Sequence, residues 1–204
     1  GIRDIIIPSS VNRIGSACFA NSSLQNVVIG DKLTEIPASC FEGCTYLSEI
    51  HIGSNVTTIA DKAFANCTSL ESISIPGSVT SIGTAKGSAY LPFYNCTSLK
   101  SIRFEDGDAT LSLGSSWNSI GEGLFYYSPL EEVYLGRNVK YKDYSTSSTF
   151  INYPELYGYS AFYNQSKLTK VTIGPEVKSL PIYLFYKCTA IESVINLALT
   201  PNVA

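Results

Sequence analysis

Residues Ile50–Ser72 read IHIGSNVTTIADKAFANCTSLES. Ile73 begins the same sentence again as ISIPGSVTSIG, which resumes after an intervening segment as FYNCTSLKS. A self-similar period of 23 residues, Ile50 to Ile73, is the mark of a repeat architecture and takes precedence over any local reading.

The period can be followed in columns. The aromatic column is Phe19, Phe41, Phe64, Phe93, Phe125, Phe162 and Phe185, and the aliphatic column after it is Leu24, Leu47, Leu70, Leu99, Leu130, Leu168 and Ile191. Three and five residues beyond each Leu stands an apolar pair: Val27/Ile29, Ile50/Ile52, Ile73/Ile75, Ile102/Phe104, Val133/Leu135 and Val171/Ile173, with Ile5/Ile7 ahead of them. Apolar residues at period two predict a short strand with one buried face. A second short run follows in Val11–Ile14, Leu33–Ile36, Val56–Ile59, Val79–Ile82 and Val177–Leu180. Segments such as Asp61–Ala65, small residues around a Phe, predict a single helical turn.

One unit cannot fold alone. It buries about six large apolar side chains at roughly 2 kcal/mol each, against about 1–2 kcal/mol for ordering each backbone residue. The deficit closes when units stack and cover one another. The expected fold class is therefore an α/β repeat solenoid of about seven rungs, with short parallel strands and few helical turns. Strands about 4.8 Å apart would make a sheet roughly 30 Å long.

The sentence IPGSVTSIG…FYNCTSLKSI resembles the BspA-like leucine-rich repeat family, from Ile5 to about Val194. The resemblance implies a right-handed superhelix on secreted or surface-anchored bacterial proteins, several of them described as adhesins or host-protein binders. The general pattern LxxLxLxxN fits only Leu47–Asn55 and Leu130–Asn138, which argues against borrowing function from better-known leucine-rich receptors.

The whole of 1–204 reads as a single repeat domain. Residues 195–204 leave the pattern as a cap or a link to a further region. Gly1 leads straight into a partial repeat and reads as an added residue ahead of a mature fragment, so a missing leader says nothing of secretion. The net charge is −3 and the pI near 5.2. Without a basic patch, nucleic acid is not an expected partner. Without an apolar run of about 18 residues, neither is membrane insertion. A monomer is expected.

The six cysteines fall into two columns: Cys44, Cys67, Cys96 and Cys188 three residues after Phe, Cys18 and Cys40 just before it. Buried free thiols are the expectation, since Cys packs as a small hydrophobe; a Cys18–Cys40 bridge is the alternative. Asn21, Asn55, Asn66, Asn95 and Asn164 open Asn-x-Ser/Thr triplets that read mostly as products of the repeat.

The Phe spacing is 22, 23, 29, 32, 37 and 23 residues along the chain. The extra residues form insertions at 84–92, 105–121 and 140–160, all between strand and Phe. They should emerge from one side of successive rungs, often the binding face of such arrays. They carry Trp117, Tyr141, Tyr144, Tyr153, Tyr157 and Tyr159, rings of the type enriched at binding hot spots. These form either contacts for a partner or cover for the array's own apolar flank. The outward strand positions offer a second surface through Glu49, His51, Arg103, Glu132, Tyr134 and Lys170, either a shallow groove or an ordinary solvated face.

Catalytic chemistry has little to work with. His51 is the only His and has no partner nearby in sequence. Glu105-Asp106-Gly107-Asp108 fails the calcium-loop spacing, because Trp117 stands where the closing Glu belongs; a solvated acidic turn is expected. The reading is a non-catalytic extracellular or cell-surface recognition or adhesion module. Its partner would be a host or matrix protein or a glycan, and it needs no cofactor or metal. The alternative is a structural spacer on a cell-surface protein.

Overall fold

The computed structural model describes residues 1–83, 91–114, 123–141, 161–181 and 183–197. Thirteen short strands are found there: β1 (Asp4–Ile7), β2 (Asn26–Ile29), β3 (Glu35–Ile36), β4 (Glu49–His51), β5 (Thr58–Ile59), β6 (Ser72–Ile75), β7 (Ser81–Ile82), β8 (Ser101–Phe104), β9 (Leu111–Leu113), β10 (Glu132–Leu135), β11 (Val139–Tyr141), β12 (Lys170–Ile173) and β13 (Ser193–Asn196). Every pairing is parallel and joins equivalent residues of neighbouring repeats, as in Ile73↔Ile102 and Val133↔Val171.

The first strands of the repeats form two sheets, β1-β2-β4 and β6-β8-β10-β12-β13, with β4 in contact with β6. The second strands form another, β3-β5-β7-β9-β11. The apolar members of each pair point inward. Val27, Ile29, Ile73, Ile75, Ile102, Phe104, Val133 and Leu135 are all buried. Between the sheets runs the Phe column. Consecutive rings from Phe19 to Phe185 stack with centroids 5.1–5.6 Å apart, and the five inner rings are fully buried. Backbones approach closely where the chain leaves a first strand. A Cβ on Gly136 would sit 2.5 Å from the Asp106 nitrogen, so only glycine fits.

Several expectations need correction. No helix occurs among the described residues. The segments around Phe are turns, closed by bonds such as Ala65 N–H to the Lys62 carbonyl and Cys67 N–H to that of Phe64. Lys62 and Asn66 hold left-handed φ angles of 56° and 61°, and a left-handed residue on each side of Phe64 stops any right-handed helix from propagating.

The insertions are shorter than the spacing implies. Leu111–Leu113 and Val139–Tyr141 are second strands, with Ser112 opposite Ser81 and Tyr141 opposite Leu113. Their apolar residues alternate, so the Val-x-x-Ile pattern of earlier repeats does not find them. Leu91 and Pro92 are likewise buried beside the Phe stack. Conversely, Val11–Ile14 and Val177–Leu180 form no strand. At the far end, Ile195 and Asn196 belong to β13, paired with Thr172 and Ile173, so the repeat persists beyond residue 194.

Cys18 is exposed, while Cys40, Cys44, Cys67 and Cys96 are buried and Cys188 is partly so; all six are free thiols.

Candidate functional site

Strand alternation turns Arg103 of β8 and Tyr134 of β10 outward, and their register sets them side by side. The Arg103 guanidinium carbon lies 3.6 Å from the centre of the Tyr134 ring. The Tyr134 hydroxyl donates to Asp106 Oδ1 at 2.6 Å, and Asp106 Oδ2 lies 3.8 Å from Arg103 Nη2. Burial, with Asp106 adding to it, holds the Tyr134 phenol above its ordinary pKa. Asp106 is therefore more than a solvated turn residue: it fixes the ring that carries the guanidinium.

Beside this group Lys170 Nζ lies 3.4 Å from Glu132 Oε2, an exposed pair worth at most about 1 kcal/mol. Together Ser101, Arg103, Glu132, Tyr134, Lys170 and Thr172 line a depression of about 220 Å³. Four of the six expected strand-face residues thus converge. The other two do not join them. Glu49 and His51 lie on β4, opposite Asn26 and Val28, with the serines of β6 between them and Arg103. The nearest charged effect of His51 is on Asp31, whose carboxyl is held below its ordinary pKa chiefly by hydrogen bonds from Ser54, with a smaller contribution from His51.

Of the expected insertion residues, Trp117, Tyr144, Tyr153, Tyr157 and Tyr159 lie outside the described residues. Tyr141 is placed, and its ring is in the core at 5 % exposure. It continues the inward column Ile59, Ile82, Leu113, so it supports the fold and offers no surface. What the described residues show is where the three segments depart and return. They depart after Gly83, Gly114 and Tyr141, at the ends of hydrogen-bonded neighbours β7, β9 and β11. They return at Leu91, Gly123 and Ala161, one or two residues before stacked phenylalanines.

Several residues carry roles that the repeat pattern does not announce. Arg137 is fully buried. Its guanidinium donates to the Gly77 carbonyl and, at 2.8 Å, to that of Pro76, tying its repeat to one sixty residues earlier. Inside Leu130–Asn138 it reads as a polar loop residue. A tyrosine column also lies beside the Phe stack, and its signal is plain in the letters: the residue after Phe is Tyr in each of the last four units, Tyr94, Tyr126, Tyr163 and Tyr186. Tyr94 stacks on Tyr126 at 6.2 Å, and Tyr163 faces Tyr186 at 6.0 Å.

A family model described as "BspA type Leucine rich repeat region" matches in six copies over residues 1–91 and 90–192. Among solved structures, the leucine-rich repeat protein of T. pallidum aligns with a TM-score of 0.61 at 20% identity, covering 92% of this chain and 77% of that one. A leucine-rich repeat protein from Bacteroides ovatus aligns at 22% identity with a TM-score of 0.42, covering 96% of this chain and 61% of the other. No curated protein matches the chain.

Proposed function

The chain belongs to the BspA-type leucine-rich repeat family, generally binding or structural modules without an enzymatic role. From that premise we propose that it is a non-catalytic extracellular recognition module. In this reading it is a right-handed solenoid of about seven rungs whose irregular side binds a protein or glycan partner at a cell surface. The observation that carries the reading is the alignment of the three departures on β7, β9 and β11. The departures and returns stand at equivalent positions of adjacent strands, and the chain makes its largest departures from its regular period there. The Arg103–Tyr134–Asp106 group supplies a second, preorganised surface on the strand face.

A spacer is the competing reading, and the continuous Phe stack favours it as far as stiffness goes. A spacer gains nothing from three aligned irregularities. An array of glycans and extracellular-matrix proteins, probed with the labelled chain, separates the two. Saturable binding to one class of target is the expected result; no binding to any target would leave the spacer. Surface labelling of intact source cells tests the extracellular setting.

A further inference from the structure

The residue two places after each Phe follows a rule. Asn21, Gly43, Asn66, Asn95 and Asn164 all adopt positive φ, between 52° and 72°. Each sends its N–H to a carbonyl of the next repeat, at Glu42, Ala65, Tyr94, Tyr126 and Tyr186 respectively. Lys187 ends the series in the last unit at φ 60°. Asparagine and glycine are the residues that tolerate this conformation. One side-chain bond also runs along the column, from Asn95 Nδ2 to Asn66 Oδ1 at 2.8 Å.

Tyr127, inside the array, breaks the rule three ways. It is a bulky residue held at φ 61°. Its N–H makes no bond to the Tyr163 carbonyl, the partner its position calls for. It has no amide to offer the column, so Asn164 lacks the side-chain partner that Asn66 and Asn95 give each other. The ladder opens there into a cleft of about 340 Å³, lined by Tyr126, Tyr127, Tyr163, Asn164, Ser166 and Lys167 among others. Its floor is tied down by hydrogen bonds: Gln165 Nε2 donates to the Phe125 carbonyl, and Ser128 Oγ to that of Phe93.

The walls are held by ring contacts and a hydrogen bond. The Tyr127 ring lies 4.1 Å from that of Tyr126 and meets Tyr94 edge-on at 5.9 Å, yet it is 60% exposed. Lys187 Nζ donates to the Tyr163 hydroxyl at 3.2 Å. A strained residue that projects an ordered ring into a cleft points from strain to function.

We propose that this cleft between Tyr127 and Tyr163 is a binding site for the ring of a neutral sugar. The proposal rests on the recognition reading only in taking the protein to be a binder, and it names a surface that reading did not use. A pyranose has apolar C–H faces that pack on aromatic rings, and hydroxyls that both donate and accept. The cleft offers ring faces, phenol hydroxyls, the Asn164 amide and the Ser166 hydroxyl. Among the described residues Lys167 is its only charged lining residue, and no carboxylate lines it; the rest of the lining is neutral. Its volume is near the lower end of the range for small-ligand pockets, about 300–1,000 Å³. A protein partner would need a contact of about 800 Å².

The test uses the full chain with methyl glycosides of neutral hexoses and with cellobiose and lactose as probes, read by saturation-transfer NMR. A Pro-rich decapeptide serves as the competing ligand class. At least one neutral sugar should show saturation transfer concentrated on ring C–H protons. Tyr127→Asn restores the residue its column prefers, so its Tm should be no lower than that of the parent while affinity falls about tenfold or more. Tyr127→Phe should keep most of the binding. The proposal is overturned if no neutral sugar binds, if Tyr127→Asn binds as well as the parent, or if only the peptide binds. A chain that binds an array target but no sugar, or a sugar away from Tyr127, loses this proposal and keeps the recognition reading.

Discussion

Cys67 donates its thiol hydrogen to the backbone carbonyl of Phe41, one repeat back, at 3.2 Å. The same bond recurs along the column: Cys44 to Phe19, Cys96 to Phe64 and Cys188 to Phe162, with Ser128 serving Phe93 and Gln165 serving Phe125. The column is defined by donation, and cysteine is its commonest donor. The thiol is a second donor to a carbonyl that also accepts a backbone N–H, as Phe41 does from Cys44 at 3.1 Å, and one such bond contributes about 0.5–1.5 kcal/mol.

Substitution at Cys67 should therefore depend on the donor that remains. Cys67→Ser keeps a donor of the type Ser128 already supplies, whereas Cys67→Ala leaves the Phe41 carbonyl with the Cys44 N–H as its one remaining donor. Urea unfolding should place the Ala variant below the Ser variant by about 0.5–1.5 kcal/mol. Equal stability would mean that the thiol fills space only.

Thiol accessibility should separate one cysteine from the rest. Cys18 is exposed, and Cys40, Cys44, Cys67 and Cys96 are buried. A thiol reagent applied to the native protein without reductant should modify Cys18 rapidly and those four only on unfolding, when all six thiols are counted. Two thiols missing from that count would indicate a bridge, Cys18–Cys40 being the pair of neighbouring repeats.

Alkaline pH should weaken the fold through the same cysteines. Burial pushes the thiols of Cys40 and Cys96 up to about 12 from an ordinary value of 9.0, and Cys67 is raised too. The unfolded chain releases these protons first. The stability they contribute is whole below about pH 9 and drains as pH climbs toward 12, by up to about 1.4 kcal/mol per pH unit for each thiol. Urea midpoints from pH 8 to 10.5 should fall more steeply for the parent than for Cys96→Ser. Parallel slopes would contradict the assignment.

The architecture is legible in the sequence because its signal repeats. The Phe and Leu columns and the first strands can be counted in the letters themselves, and residues such as Ile73 and Ile102 pair as their spacing requires. The second strands of later repeats are hidden because β9 and β11 present different residues to the same core, which puts Tyr141 on an expected surface it does not reach. The left-handed column is visible only as a run of Asn-x-Ser/Thr triplets, since φ is a property of the backbone that the letters Asn and Gly merely permit. On the strand face, alternation and register suffice to bring Arg103 to Tyr134. Asp106 joins them through a turn whose path depends on Gly107 lying close to Gly77, which no pattern of side chains announces. Arg137 is hidden for a similar reason: its partners are two backbone carbonyls.

The central claim is that recognition resides where the chain departs from its regular period. The direct measurement replaces residues 142–160 with Ala-Asp-Lys, the connector at residues 60–62 of a regular repeat, and compares affinity for the strongest array target. Tyr141 and Ala161 stay in place because both are buried in the core. The account predicts a cooperative unfolding transition close to that of the parent and a loss of affinity of about 30-fold or more, the scale of a removed hot spot. Unchanged affinity in the folded variant would contradict it and move the site to the strand face around Arg103 and Tyr134.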